Sequence, residues 1–366
     1  MALAPPVRRR PVRIRGGSLG AGLCWAVVFA DIGTSIYYTP AILYSTVGKL
    51  ATLFVLMTMV VFVLLTLKYA EVAWRYPEGG GVVTVATRAI HPFAGLLGGL
   101  FIQVDYFLTA ALSALSGFLY LSVVIPSIGP AVLEITAAGL AGLGLLNYLG
   151  IRESARVSAV FAITAGSLQF LLVLVIAVHL GPGGIVDTAR QVLAGPRLTP
   201  VGVLTGYSGA FLAFSGLESI SQLSPAMREP RRAISERAMM LVVGSMVATS
   251  PLLTLWSTTL VKVTDANSGQ LLSILGQNFG GVAFGDAIAV SGSLLLVFAS
   301  NTAIIGSYHV FLALSRMGFL PDLLQRRNRL RGTPHWAIAI TVGVPILVVI
   351  AANGNQNLLG DLYAFG

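Results

Sequence analysis

Phe29-Ala30-Asp31-Ile32-Gly33-Thr34-Ser35-Ile36-Tyr37-Tyr38 lies in the middle of a long apolar run, from about Leu19 to Leu43. An acid at mid-membrane depth costs about 2.5 to 3.5 kcal/mol on insertion scales unless something compensates it. Gly33, Thr34 and Ser35 make a weak point in a helix, where carbonyls and hydroxyls can join the carboxylate around a cation. Two further acids, Asp105 and Glu218, lie similarly deep in apolar runs of their own. Three such acids predict a transporter that carries cations or is coupled to them.

Composition sets the frame. The chain has 366 residues, 55% of them hydrophobic and 10% charged, with a mean hydropathy of +0.84. Soluble domains carry about 25% charged residues, so an all-α polytopic membrane protein is expected. Runs of about 20 apolar residues, enough to span a bilayer, occur near 18–45, 51–72, 94–124, 132–150, 157–180, 201–226, 238–262, 282–312 and 335–353. A tenth begins near Asn357 and stops at Gly366, which reads as truncation within the tenth transmembrane helix. The single cysteine, Cys24, sits among apolar residues and reads as a packing residue. No small-residue cleavage site follows the first run, so it is expected to stay in the membrane.

The net charge of +9 sorts by loop. Nineteen Lys and Arg fall on one side of the expected topology, led by Arg8, Arg9, Arg10, Arg13 and Arg15, and only Lys49, Arg190, Arg197 and Lys262 on the other. The positive-inside rule then places the N-terminus in the cytoplasm of a multi-pass plasma-membrane protein. The charge is absorbed by topology, and nucleic acid is not an expected partner. The expected partners are a small cation and the lipid bilayer, with a homodimer left open.

The sixth run repeats the character of the first. Ser215-Gly216-Leu217-Glu218-Ser219 again sets small polar residues beside an acid, and the two runs enter from opposite sides. Interrupted helices at matching places in two halves point to an inverted-repeat transporter with its site at the midplane. The expected division is a basic N-terminus at 1–17, a first half of helices 1–5 at 18–180, an extracellular loop at 181–200 and a second half at 201–366. Helix breaks are expected at Gly33, Thr34, Ser35 and Gly216. Arg75-Tyr76-Pro77-Glu78-Gly79-Gly80-Gly81 lacks the Lys-Ser/Thr pair of a phosphate loop and reads as a hinge into the third helix.

Spacings of four put Asp105, Thr109 and Ser113 on one helix face. A row of oxygens suits a dehydrated hard cation. Glu218, beside the second break, has the place of a membrane proton relay. Glu134 and Asp286 fall near outer helix ends, and Glu71 and Glu78 near a loop, so they rank lower. Asn301, Thr302 and His309 read as polar packing. His91, His179, His309 and His335 lack metal-like spacing, and no hydrolytic triad, zinc motif or cofactor fingerprint is present. The sequence gives no support to an enzyme, and no cofactor is expected, the transported cations being substrates.

The run Asp31-Ile32-Gly33-Thr34-Ser35-Ile36-Tyr37-Tyr38 resembles the Asp-Ile-Gly-Thr-Ser-x-x-Tyr motif of Kup/KimA-type potassium transporters of the amino acid–polyamine–organocation (APC) superfamily. The likeness continues through Tyr76-Pro77-Glu78-Gly79-Gly80-Gly81, Val104-Asp105-Tyr106-Phe107-Leu108-Thr109, Ser215-Gly216-Leu217-Glu218-Ser219-Ile220, Ala299-Ser300-Asn301-Thr302 and Leu362-Tyr363-Ala364. It implies a leucine-transporter-like 5+5 inverted repeat and proton-coupled potassium uptake. It further implies that Asp31, Tyr38, Asp105, Thr109, Ser113 and Tyr363 contact potassium. Ser215 would do so in place of the family's Thr, and Glu218 would couple the proton. The alternatives are an amino acid or polyamine permease of the same superfamily, and a non-transporting fragment or membrane sensor. Asp31 would repel a substrate carboxylate, which argues against a plain amino acid.

Overall fold

The computed structural model describes residues 17–77, 79, 81–150 and 155–365. The N-terminal arginines, Glu78, Gly80 and Arg152 lie outside these described residues. Among the described residues there is no strand, only an isolated bridge between Leu19 and Met227. The elements are α1 (Ala21–Ile32), α2 (Ser35–Val47), α3 (Ala51–Arg75), α4 (Gly81–Ala89), α5 (Pro92–Val124), α6 (Val132–Tyr148) and α7 (Ala155–Leu193). They are followed by α8 (Pro200–Ala210), α9 (Ser219–Leu223), α10 (Arg231–Thr259), α11 (Leu271–Gly280), α12 (Val282–Arg316), α13 (His335–Ala351) and α14 (Gln356–Phe365).

Among the described residues, seven helical stretches are long and apolar enough to cross a membrane, and eight if the bent pair α13–α14 is one span. The stretch Ala21–Arg75 counts once there, although it holds 55 residues. A straight helix of that length would run about 80 Å at 1.5 Å per residue, far beyond a hydrocarbon core of about 30 Å. Gly48, at φ +59°, turns the chain between α2 and α3. Counted as two crossings, and with α13–α14 as one bent span, this stretch brings the count among the described residues to nine. The start of the expected tenth span, α14, is thereby taken into the ninth.

Two expectations change in detail. Residues 181–200 are not simply a loop, because helix continues to Leu193 after a break at Gly181, whose φ is +59°. Pro182 follows that break, where proline starts a new helix without losing a needed donor. The glycine-rich segment does not run straight into the third span either: Gly81 opens the short helix α4, and the span itself starts at Pro92.

The interior is built from close helix approaches, above all α5 on α12 and α3 on α10. Small residues make these possible, as is usual where lipid supplies no hydrophobic drive between helices. A side chain at Gly306 would meet the Tyr106 ring at 2.8 Å, and one at Gly117 would meet Val297 at 3.0 Å, both between α5 and α12. The outward faces of α3 and α7 carry exposed Leu56, Val60, Leu64, Leu67, Val160, Ile163 and Phe170. Such a surface suits lipid rather than water.

Candidate functional site

Asp31 is buried in the last turn of α1, and the helix is interrupted at Gly33 and Thr34 before Ser35 opens α2. Hydroxyls take up the carbonyls released there. Thr34 Oγ1 donates to the Asp31 carbonyl at 2.5 Å, and Ser35 Oγ lies 2.7 Å from the carbonyls of both Ile32 and Ala213. From α7, the Gln169 Nε2 group donates to the Gly33 carbonyl at 3.2 Å. The first break is thereby tied to two other elements.

The second break lies between α8 and α9. A tight turn of helix at Phe211–Phe214 gives way to extended Ser215 and to Gly216 at φ +106°. That left-handed φ favours glycine, and closeness reinforces the choice: a Cβ at Gly216 would stand 2.8 Å from Asp31 Cγ. Ser219, in the first turn of α9, donates its hydroxyl to Asp31 Oδ2 at 2.5 Å. The two interrupted helices therefore meet at the Asp31 carboxylate.

A second polar cluster forms around Tyr363 on α14. Its hydroxyl donates to Asp105 Oδ1 and pairs with Ser215 Oγ, and Thr109 Oγ1 donates to it at 3.4 Å. Tyr38 on α2 is buried one helical turn beyond Thr34. The Ser113 hydroxyl is buried and unpartnered. Glu218 is buried two residues beyond Gly216, at the start of α9.

Among the described residues no Lys, Arg or His forms an ion pair with Asp31, Asp105 or Glu218. Nor do three His, Cys, Asp or Glu side chains converge as a metal-holding group. A cation bound here would be shared between single carboxylates and the hydroxyl and carbonyl oxygens around them, as suits a hard ion.

The structure thus gathers the sequence-predicted residues into two linked sets: Asp31 with Gly216, and Asp105 with Thr109, Ser215 and Tyr363. Asn301 packs as expected, accepting from Asn147 Nδ2 at 2.7 Å. Sequence reading passed over Ser219, Gln169 and the pair Gln222–Tyr106, whose side chains hydrogen-bond. For Gln169 a signal existed, because an amide is rare within an apolar span such as 157–180. Ser219 lay inside the quoted motif, but nothing in its spacing told it from Ser221.

Comparison with known proteins agrees with this geometry at the level of fold and family. The crystal structure of MhsT in complex with L-phenylalanine superposes with a TM-score of 0.65 over 93% of this chain and 81% of that one, at 13% identity. That likeness identifies a leucine-transporter-like fold. The potassium transporter KimA of Bacillus subtilis (strain 168) is 26% identical over 317 residues, 84% of this chain and 51% of that protein. The low-affinity putrescine importer PlaP of Escherichia coli (strain K12) is 27% identical over 190 residues, 50% of this chain and 40% of that protein. The chain spans about half the length of the curated relatives it matches, or less. A family model described as amino acid permease matches residues 21–366, and the chain belongs to that family of the APC superfamily.

Proposed function

We propose that this chain forms the cation-binding core of a secondary active transporter that takes up potassium together with protons. The observation that carries the reading is the set of three membrane-depth acids without a basic partner among the described residues. Uncompensated acids at that depth mark cation pathways. In this reading Asp31, Tyr38, Asp105, Thr109, Ser113, Ser215 and Tyr363 supply oxygens to potassium, and Glu218 takes and releases the proton. The N-terminus faces the cytoplasm, as the Lys/Arg partition argues. The similarity to KimA supports potassium as the cargo.

A second reading is a polyamine importer. Asp31 and Asp105 sit in separate hydrogen-bonded clusters, an arrangement that suits the two ammonium groups of a diamine. The similarity to PlaP supports it. An amino acid substrate fits less well, because its carboxylate would meet Asp31 where related carriers offer backbone N–H groups.

The test is growth of a potassium-uptake-deficient bacterium at limiting potassium, with putrescine uptake measured in the same cells. Potassium-dependent rescue, lost in Asp31→Asn with the variant still in the membrane, is the expected result. Glu218→Gln is expected to flatten the pH dependence of uptake. Putrescine accumulation without potassium rescue would overturn the potassium reading in favour of the polyamine one.

A further inference from the structure

A cavity of about 790 Å³ separates the Asp31 region from the arginine-rich loop between α12 and α13. Ser219, which bonds Asp31, is among its lining residues, as are Asn147 and Thr302, and its basic lining is His309, Arg327 and Arg331. No carboxylate of a described residue lines it. The loop that presents the arginines is closed on itself. Asn328 N donates to the Thr333 carbonyl and Gly332 N to the Asn328 carbonyl, each at 2.8 Å, and Thr333 Oγ1 fastens to the Tyr148 carbonyl at 2.8 Å. Arg327 is steadied by the Gly332 carbonyl at 3.2 Å.

Arg326, Arg327, Arg329 and Arg331 thus stand within six residues of a fixed loop, and none forms an ion pair with a described residue. The side-chain Nδ2 of Asn328 in the same loop is buried without an acceptor. Around these charges the structure exposes Phe319, Leu323, Leu330 and Trp336, with Leu330 88% exposed between Arg329 and Arg331. Basic side chains interleaved with exposed apolar and aromatic ones are the mark of a membrane–water interface. Guanidinium groups bind phosphate oxygens in pairs of parallel hydrogen bonds.

We propose that the basic end of this cavity binds the phosphate headgroup of an anionic phospholipid between Arg327 and Arg331. The exposed apolar residues of the loop would meet the lipid's acyl region, which is why a lipid is favoured over a soluble phosphate. A headgroup held there would share a cavity with Ser219, so lipid composition would act on the Asp31 region without touching it.

The test uses the purified full chain in neutral detergent, with binding of short-chain phosphatidylglycerol measured against phosphatidylcholine and inorganic phosphate. Phosphatidylglycerol is expected to bind and to raise the melting temperature, with the other two inert. A guanidinium–phosphate hydrogen bond is charge-assisted and worth roughly tenfold or more in affinity, so Arg327→Gln/Arg331→Gln is expected to lose about a hundredfold. Arg326→Gln/Arg329→Gln removes the same charge from the same loop, outside the cavity lining, and is expected to lose no more than a few-fold. Equal losses in the two pairs would reduce the effect to diffuse attraction and overturn the proposal. Equal binding of inorganic phosphate would overturn the lipid as its ligand. The wild-type comparison of the three ligands decides the second point even where a variant folds poorly.

Discussion

The two helix interruptions that meet at Asp31 are built in opposite ways. At Gly33 and Thr34 the backbone never leaves the right-handed helical region, with φ/ψ of −66°/−14° and −70°/−30°. Gly33 N still reaches the Phe29 carbonyl at 2.8 Å, and Thr34 and Ser35 hydroxyls cap the carbonyls that remain. This first interruption is a tightened turn. The second is unwound: Ser215 is extended, Gly216 is left-handed, and α9 lasts only five residues. Both breaks combine local caps with help from elsewhere: Ser35 Oγ also reaches the Ala213 carbonyl and Gln169 the Gly33 carbonyl, while Ser219 Oγ reaches the Gly216 carbonyl within the second break. The contrast is one of backbone: Asp31 sits on a nearly continuous helix, and Glu218 lies two residues past the unwound Gly216.

The sharpest way to break this contrast is Gly216→Ala. A left-handed φ costs a non-glycine residue about 1 to 3 kcal/mol, and the added methyl would stand 2.8 Å from Asp31 Cγ. Loss of uptake and a lower melting temperature in detergent are expected. Normal uptake would show that the unwound conformation is dispensable.

Ser219→Ala comes next, because it strips the donor from Asp31 Oδ2 across the two breaks. An unpaired buried acceptor costs about 1 to 3 kcal/mol, more for a charged group, so apparent cation affinity should change by about tenfold with insertion unaffected. A concentration series of rubidium uptake measures it.

Tyr363→Phe removes the hydroxyl joining Asp105, Ser215 and Thr109 but leaves the ring in place. A net hydrogen bond is worth about 0.5 to 1.5 kcal/mol, so a loss of about three- to tenfold in the same assay is expected. Thr34→Val, which deletes one local cap on the Asp31 carbonyl, should do least. A drop of about 1 kcal/mol or less in stability, with uptake near normal, would support the first break as over-satisfied. A Thr34→Val effect as large as that of Ser219→Ala would erase the distinction between the two breaks.

The bundle was legible because membrane burial writes itself into composition. Apolar runs of spanning length gave the helices, and the alternation of Lys and Arg between loops checked their number. Asp31, Asp105 and Glu218 stood out because charge at depth is costly enough to be rare. Glycine and hydroxyl residues beside two of them marked the interruptions. The short helices α4 and α11 escaped this reading, since neither is long enough for hydropathy to register.

By itself, then, the sequence determined the class of the protein, its long apolar helices and the buried acids beside its helix breaks. These are local properties, fixed by what each segment costs in lipid. Tertiary structure alone decided which oxygens those acids share. Ser219 reaches Asp31 across 188 residues of sequence, and Tyr363 reaches Asp105 across 258. No periodicity encodes such pairs, because they arise where separate helices close on one another.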